Sequence, residues 1–178
     1  MTKSTIRFAG PKDAKQIHNF ICQLASFERE PDAVLVTPAI LAEQLSRDFP
    51  PFECLFIETG EEVQGFALFF HNYSTWRGAK GIHLEDLFIS EKNRGVGLGK
   101  QLLEALAKIA HQRGCPRLEW QVLDWNESAI IFYESIGAKI LREWLPCRLE
   151  SDSLNLIASL GVTAVSYTHL TLPTNREV

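Results

Sequence analysis

The chain has 178 residues, 46% hydrophobic and 22% charged, a size that suits one domain around one hydrophobic core. Its net charge of -4 carries no basic block, which argues against nucleic acid as a partner and is compatible with a cationic substrate. No apolar run reaches the roughly 20 residues of a membrane span, and Lys3, Arg7, Lys12 and Asp13 interrupt any secretory signal pattern. Cys22, Cys54, Cys115 and Cys147 form no CxxC pair, so reduced thiols in a cytoplasmic protein are expected.

In chain order, Thr5 to Ala9 reads as a first strand, punctuated by Gly10-Pro11. A helix follows from Asp13, with Ile17, Phe20, Ile21, Leu24 and Phe27 at helical spacing. Thr37-Pro38 is an N-cap with proline at the first helical position, opening a second helix to about Arg47. Strands are predicted over Phe52 to Thr59, Val63 to His71 and Gly81 to Ile89, the first two joined by a hairpin turn at Gly60-Glu61-Glu62. A glycine-rich loop leads into a helix from about Gly97 to Arg113, capped by Gly114. Arg117 to Leu123 is read as another strand, Asn126 to Ile136 as a helix, and Lys139 to about Glu150 as the last strands. The order is that of an α/β (α+β) architecture. Ser151 to Leu160 could form one more short helix. Residues 161–178 are threonine-rich and have no amphipathic period. They read as a non-native or disordered tail, with a native strand near Tyr167 to Leu172 as the alternative, and residues 1–160 as the domain.

Three segments carry candidate chemistry. In Arg94-Gly95-Val96-Gly97-Leu98-Gly99-Lys100, glycines let backbone approach a ligand, and free N–H groups at a helix start bind phosphate oxygens. The dinucleotide pattern fails because Lys100 and Leu102 stand where its third glycine belongs. The P-loop pattern fails because Arg94 and Gln101 occupy two of its fixed places. A glycine-rich turn with no ligand is the plainer alternative.

In the preceding strand, Ile82 and Leu84 share one parity while Leu87 and Ile89 share the other. The alternation slips at Glu85-Asp86, and one extra residue there, a β-bulge, would restore these apolar side chains to one face. Phe88 does not fit that face. The two acids either face solvent at a sheet edge or serve an amine. A primary alkylamine has a pKa near ~10.4, so freeing its lone pair at pH 7 costs about 4–5 kcal/mol, and a carboxylate can carry that proton away.

The third segment runs from Asn126, a strong N-cap candidate, to Tyr133. Seven residues return Tyr133 to nearly the same helix face, about 10 Å along the axis. Its phenol is either a core group satisfied by one hydrogen bond or an acid able to protonate a departing thiolate. His18, His71, His83 and His111 make no metal-ligand spacing, so no metal is expected.

Taken together these blocks resemble the GNAT superfamily of N-acetyltransferases, whose R-x-x-G-x-G pattern is met by Arg94, Gly97 and Gly99. Within it the chain is similar to the diamine (spermidine/spermine) and thialysine acetyltransferases, over about Ile6 to Glu143. The likeness rests on Ala25-Ser26-Phe27-Glu28, Tyr73-Ser74-Thr75-Trp76, Leu84-Glu85-Asp86-Leu87, the glycine loop, Val122-Leu123-Asp124-Trp125-Asn126, Phe132-Tyr133 and Gly137-Ala138. It implies a mixed, mostly antiparallel central sheet flanked by helices, bulged at the acetyl-CoA strand. It implies that Leu87, Phe88 and Ile89, with Arg94, Gly95, Val96, Gly97, Leu98, Gly99 and Lys100, hold the pantetheine and pyrophosphate of acetyl-CoA. Asn126, Glu127, Ser128 and Ala129 would hold the pantetheine arm.

The resemblance further implies that Tyr133 is the general acid and Glu85 the group that meets the amine, with Asp86, Glu119, Trp120 and Gln121 beside it. Phe27 and Glu28 would close the substrate site, either from the same chain or, in a homodimer, from the partner subunit. The implied mechanism is direct transfer in a ternary complex, with the oxyanion held by backbone N–H groups of the bulged strand. The Leu123-Asp124-Trp125-Asn126 and Tyr73-Ser74-Thr75-Trp76 blocks are nearer the thialysine-type members. Between Gly137 and Trp144 the chain is shorter than the polyamine enzymes, which weakens a polyamine-specific reading and leaves the match of Glu143 open. A non-catalytic acyl-CoA-binding domain and a protein or peptide N-acetyltransferase are the competing readings.

Overall fold

The structure is a computed structural model that describes residues 4–160. The chain divides into two compact units, one through Asp124 and one from Trp125 onward.

The first unit is built on a five-stranded sheet. Strands β1 (Ser4–Phe8), β2 (Glu53–Thr59), β3 (Glu62–Ser74) and β4 (Ala79–Ile89) pair antiparallel in sequence order, and β5 (Leu118–Glu119) joins β4 in parallel. The mixed, mostly antiparallel sheet expected from the family resemblance is therefore present. The β2–β3 turn is tight, with Thr59 paired to Glu62 and Gly60 at φ 65°.

Helix α1 (Ala14–Phe27) and helix α2 (Pro38–Leu45) cover one sheet face. Ile17, Phe20 and Leu41 pack there against Phe56, Phe66, Leu68 and Phe88. The Phe20 ring stacks on Phe66 at 5.5 Å and lies edge-on to Phe56 at 6.1 Å, so aromatic contacts dominate this core. Pro38 begins α2 as expected, and the Thr37 hydroxyl accepts from the Ile40 N–H at 3.3 Å. Arg7 reaches Asp13 with two hydrogen bonds of 2.8 and 2.9 Å, and Asp13 also accepts from the Gly10 N–H at 2.8 Å. That arrangement ties the end of β1 to the start of α1, and the guanidinium holds the Asp13 carboxyl below its ordinary pKa.

Helix α3 (Leu98–Gln112) contacts β1 to β5 and buries Leu98, Leu102, Leu103, Leu106 and Ala110. These residues recur at three- and four-residue intervals and make one apolar stripe. Its last turn leads to Arg113, whose guanidinium lies 5.9 Å from the Phe69 ring.

The second unit holds α4 (Glu127–Ser135) and α5 (Ser151–Ser159). Two expectations are corrected. The strand predicted over Arg117 to Leu123 is formed only at Leu118–Glu119, and the strands predicted over Lys139 to Glu150 are absent, those residues being irregular. Segment 139–150 alternates poorly: Glu143, Pro146, Arg148 and Glu150 interrupt its apolar residues, and proline withholds a ladder donor. The tail assigned to residues 161–178 lies outside the described residues.

Candidate active site

The bulge expected in β4 is present. Leu84 pairs with Phe69 and Asp86 with Leu68, so Glu85 is the extra residue with no partner on β3. Beyond it the parity is reset: Leu87 and Ile89 now share the face of Ile82 and Leu84, toward α3, while Phe88 turns into the core under α1. The position of Phe88, which did not fit the apolar face in the sequence, is thus explained by a second core on the opposite side.

The bulge gives the two acids different surroundings. The Glu85 side chain is 55% exposed, and its carboxylate lies 3.5 Å from Nε2 of His83, whose ring stands 5.1 Å from that of Phe70. Asp86 is half-buried on the α1-facing side, in one row across the sheet with Leu68 and Cys54. Burial first, then the charges of Glu85 and Glu28, push the Asp86 carboxyl up to about 7. Glu28, at the end of α1, is raised as well by desolvation. The charges of Glu28 and Glu85 thus act on Asp86, an acidic setting suited to a cation, with Asp86 able to hold or accept a proton near neutral pH. Burial also pushes the Cys54 thiol upward, so this cysteine is inert packing.

The glycine loop follows β4 through a short 3-10 turn, Glu91–Asn93. Gly95 and Gly97 take φ of 79° and 86°, where a side chain is disfavoured, and Gly97 is the N-cap of α3. The N–H groups of Leu98, Gly99 and Lys100 precede the first intrahelical acceptor, since the first bond of the ladder runs from Gln101 N to Gly97 O at 3.1 Å. A loop of bare backbone ending in an α-helix N-terminus is the donor set that a pyrophosphate requires, so these residues fit acetyl-CoA. The Arg94 side chain is held by the end of β4 and by two aromatic rings. Its Nε donates to Ile89 O at 3.0 Å, and its guanidinium lies over the rings of Phe27 at 4.9 Å and Phe88 at 5.4 Å. This brings Phe27 and Arg94 together on one shallow cleft that also includes Cys22, Ser26 and Glu91.

Glu119 on β5 is already engaged. It accepts from the Asn72 amide, and its other oxygen is 3.0 Å from Arg117 Nε. Nothing in the sequence marks Asn72 and Arg117, which hold it, because their partnership depends on strand order. Trp120 is half-buried and Gln121 exposed beyond the end of β5. In the second unit, Asn126 caps α4: its carboxamide oxygen accepts from Ala129 N at 3.3 Å and from the Ser128 hydroxyl at 3.1 Å. Glu127 is exposed in the first turn, and Tyr133 is 8% exposed with its ring 5.4 Å from that of Phe132.

A bulged strand thus runs through a short turn into a glycine loop and the N-terminus of an α-helix. The profile of the acetyltransferase (GNAT) family matches residues 17–138, and the chain belongs to that family. It is an N-acetyltransferase. L-ornithine N5-acetyltransferase of Arabidopsis thaliana is 36% identical, over 89% of this chain and 90% of that protein. Thialysine N-epsilon-acetyltransferase of Mus musculus is 32% identical, over 89% and 99%. Among solved structures, an integron cassette protein from the mobile metagenome of V. cholerae superposes with a TM-score of 0.74 at 28% identity, over 89% of this chain and 99% of that one. No helix among the described residues is long and apolar enough to cross a membrane.

Proposed function

We propose that this enzyme transfers the acetyl group of acetyl-CoA to the primary amine of a small cationic metabolite, a thialysine- or lysine-like amino acid or a di- or polyamine. The observation that carries the reading is the bulge at Glu85, which sets Glu85 and Asp86 one short turn before the glycine loop, with the charge of Glu28 at the end of α1 acting on Asp86. Ornithine N5 and thialysine Nε, named in the relatives, are both side-chain amines of amino acids, which favours that branch over spermidine.

In this reading the backbone from Arg94 to Lys100 binds the pyrophosphate, and Leu87 to Ile89 with Asn126 to Ala129 bind the pantetheine arm. The ammonium is drawn to the acids, and Asp86, with Glu85, takes its proton. The free amine attacks the thioester directly, with no acyl-enzyme. Backbone N–H groups at the bulge stabilise the oxyanion, and Tyr133 donates a proton to the departing thiolate. Glu119, Trp120 and Gln121 border the amine, and Phe27 and Glu28 close the substrate site in a cytoplasmic homodimer. Residues 1–160 make up the catalytic domain, and no metal takes part.

The test is release of free thiol from acetyl-CoA with ornithine, lysine, thialysine, putrescine, spermidine, spermine and a lysine peptide. Turnover with a side-chain amine of a free amino acid supports the proposal. Turnover with the peptide alone moves the enzyme to protein acetylation. Binding of acetyl-CoA with no turnover on the panel overturns the catalytic reading in favour of a non-catalytic acyl-CoA-binding domain.

A further inference from the structure

A second bulge lies one strand away from the first. On β2 and β3, Ile57 pairs with Gly65 and Glu58 with Val63, so Gln64 is the extra residue. A bulge re-aims the side chain it carries. Here it turns a carboxamide inward: Gln64 is 5% exposed, one of two buried polar side chains among the described residues.

Every polar group of Gln64 that faces the loop is occupied. Its side-chain nitrogen donates to Glu62 O at 3.3 Å, and its side-chain oxygen accepts from the Asn93 amide. Its backbone carbonyl accepts twice from Ser90, from the N–H and from the hydroxyl, each at 2.9 Å. Asn93 in turn donates to the Ser90 hydroxyl at 2.8 Å, and its own N–H donates to Ser90 O at 2.8 Å. Lys92 Nζ adds an outer tie, 3.5 Å from the Glu62 carboxylate. The turn from Ser90 to Asn93 is thus closed on itself and hung from one bulged residue, and the next residue is Arg94.

The neighbour Gly65 completes the arrangement, because a Cβ there would run into Phe88 O and Ile89. The β3 backbone can therefore lie close against the end of β4, where the turn begins.

We propose that Gln64 is a positioning residue for the co-substrate: with Ser90 and Asn93 it holds the Arg94–Lys100 loop in the form that receives the pyrophosphate of acetyl-CoA. This rests on the acetyl-CoA reading above. The physical need is clear from the loop itself. Gly95 and Gly97 permit its left-handed turns but also give it conformational freedom, and ordering it at the moment of binding would weaken affinity. A fixed turn at its entrance lowers that cost. Glutamine suits the position because one planar group donates to Glu62 and accepts from Asn93. An apolar residue would leave the Asn93 amide with the Ser90 hydroxyl as its one remaining acceptor of the pair.

The experiment is calorimetric titration of acetyl-CoA into wild type, Gln64→Met, Asn93→Ala and the double variant. KM for both substrates is measured alongside by thiol release, with the panel amine that wild type turns over. Asn93→Ala breaks the clamp from the loop side, outside the core, and remains informative if Gln64→Met does not fold. The acetyl-CoA Kd and KM are expected to rise about five- to twenty-fold in each single variant. The amine KM and the saturated kcat should stay within about two-fold, and the double variant should be no worse than either single one, because both remove the same clamp. An acetyl-CoA Kd within about two-fold of wild type in Asn93→Ala overturns the proposal, as does a parallel rise in amine KM and fall in kcat. If wild type itself binds no acetyl-CoA, the parent reading falls and this proposal with it.

Discussion

Glu85 and Asp86 are neighbours in the chain but stand in different electrical surroundings, because the bulge at Glu85 releases it toward His83 while Asp86 stays in register with Leu68 on the face covered by α1. One carboxylate is exposed and the other half-buried beside a second acid, Glu28. The consequences of this difference are measurable.

Asp86→Asn should change stability in a pH-dependent way. A carboxyl whose folded-state pKa, about 7, lies above its unfolded value of about 3.9 holds its proton more tightly when folded. Its contribution to stability is therefore full below about pH 4, is lost as pH rises to about 7, and is level above that. Urea unfolding should find Asp86→Asn more stable than wild type by about 1–3 kcal/mol at pH 8, and no more stable at pH 4. Activity should move the other way, with the amine KM rising about ten-fold or more and the rise of rate through pH 7 flattened. Equal stability of the two proteins at pH 8 would contradict the burial argument.

Tyr133→Phe should lower kcat by about a hundred-fold or more, since a positioned acid contributes about 10²–10⁴ in rate. Acetyl-CoA affinity should stay within two-fold, because only the hydroxyl is removed from a buried ring. A kcat within a few-fold of wild type would remove Tyr133 from the mechanism.

Gly97→Ala tests the loop through its backbone alone. A Cβ at this position meets no atom within 4 Å, so any effect comes from φ of 86°. The left-handed conformation costs a non-glycine residue about 1–2 kcal/mol. Thermal unfolding should show a loss of that size, and the acetyl-CoA Kd should rise about five-fold as the loop relaxes toward other shapes. Unchanged Tm and Kd would indicate that the loop tolerates a different path.

Phe88→Ala should cost about 3–5 kcal/mol in urea unfolding, with the m-value unchanged, because a buried aromatic against Phe20 and under Arg94 is replaced by a cavity. A loss under 1 kcal/mol would mean that α1 closes over the gap.

Much of this enzyme is determined by the sequence alone. The helical stripe of α3, the Thr37-Pro38 start of α2 and the Asn126 cap are local: periodicity and capping chemistry act within a few residues, so they are legible without the fold. The slip of parity at Glu85-Asp86 is equally local, and the bulge it predicts is found there. The glycine spacing after β4 excludes the dinucleotide and P-loop patterns by residue identity alone.

Tertiary structure decided the rest. Phe88 looks misplaced in a one-faced strand, and only the packing of α1 on the opposite face gives it a core. The strand expected over Arg117 to Leu123 reduces to two residues because a strand exists only as far as a neighbour offers it hydrogen bonds. Glu119 is held by Asn72 and Arg117, a grouping set by which strands lie side by side. Gln64 is an unremarkable polar residue in the sequence, and the bulge in β3 makes it the anchor of a loop 30 residues later. Its partners Ser90 and Asn93 are neighbours only because β3 and β4 pair, and no local pattern encodes a contact whose two sides are joined by the whole length of a hairpin.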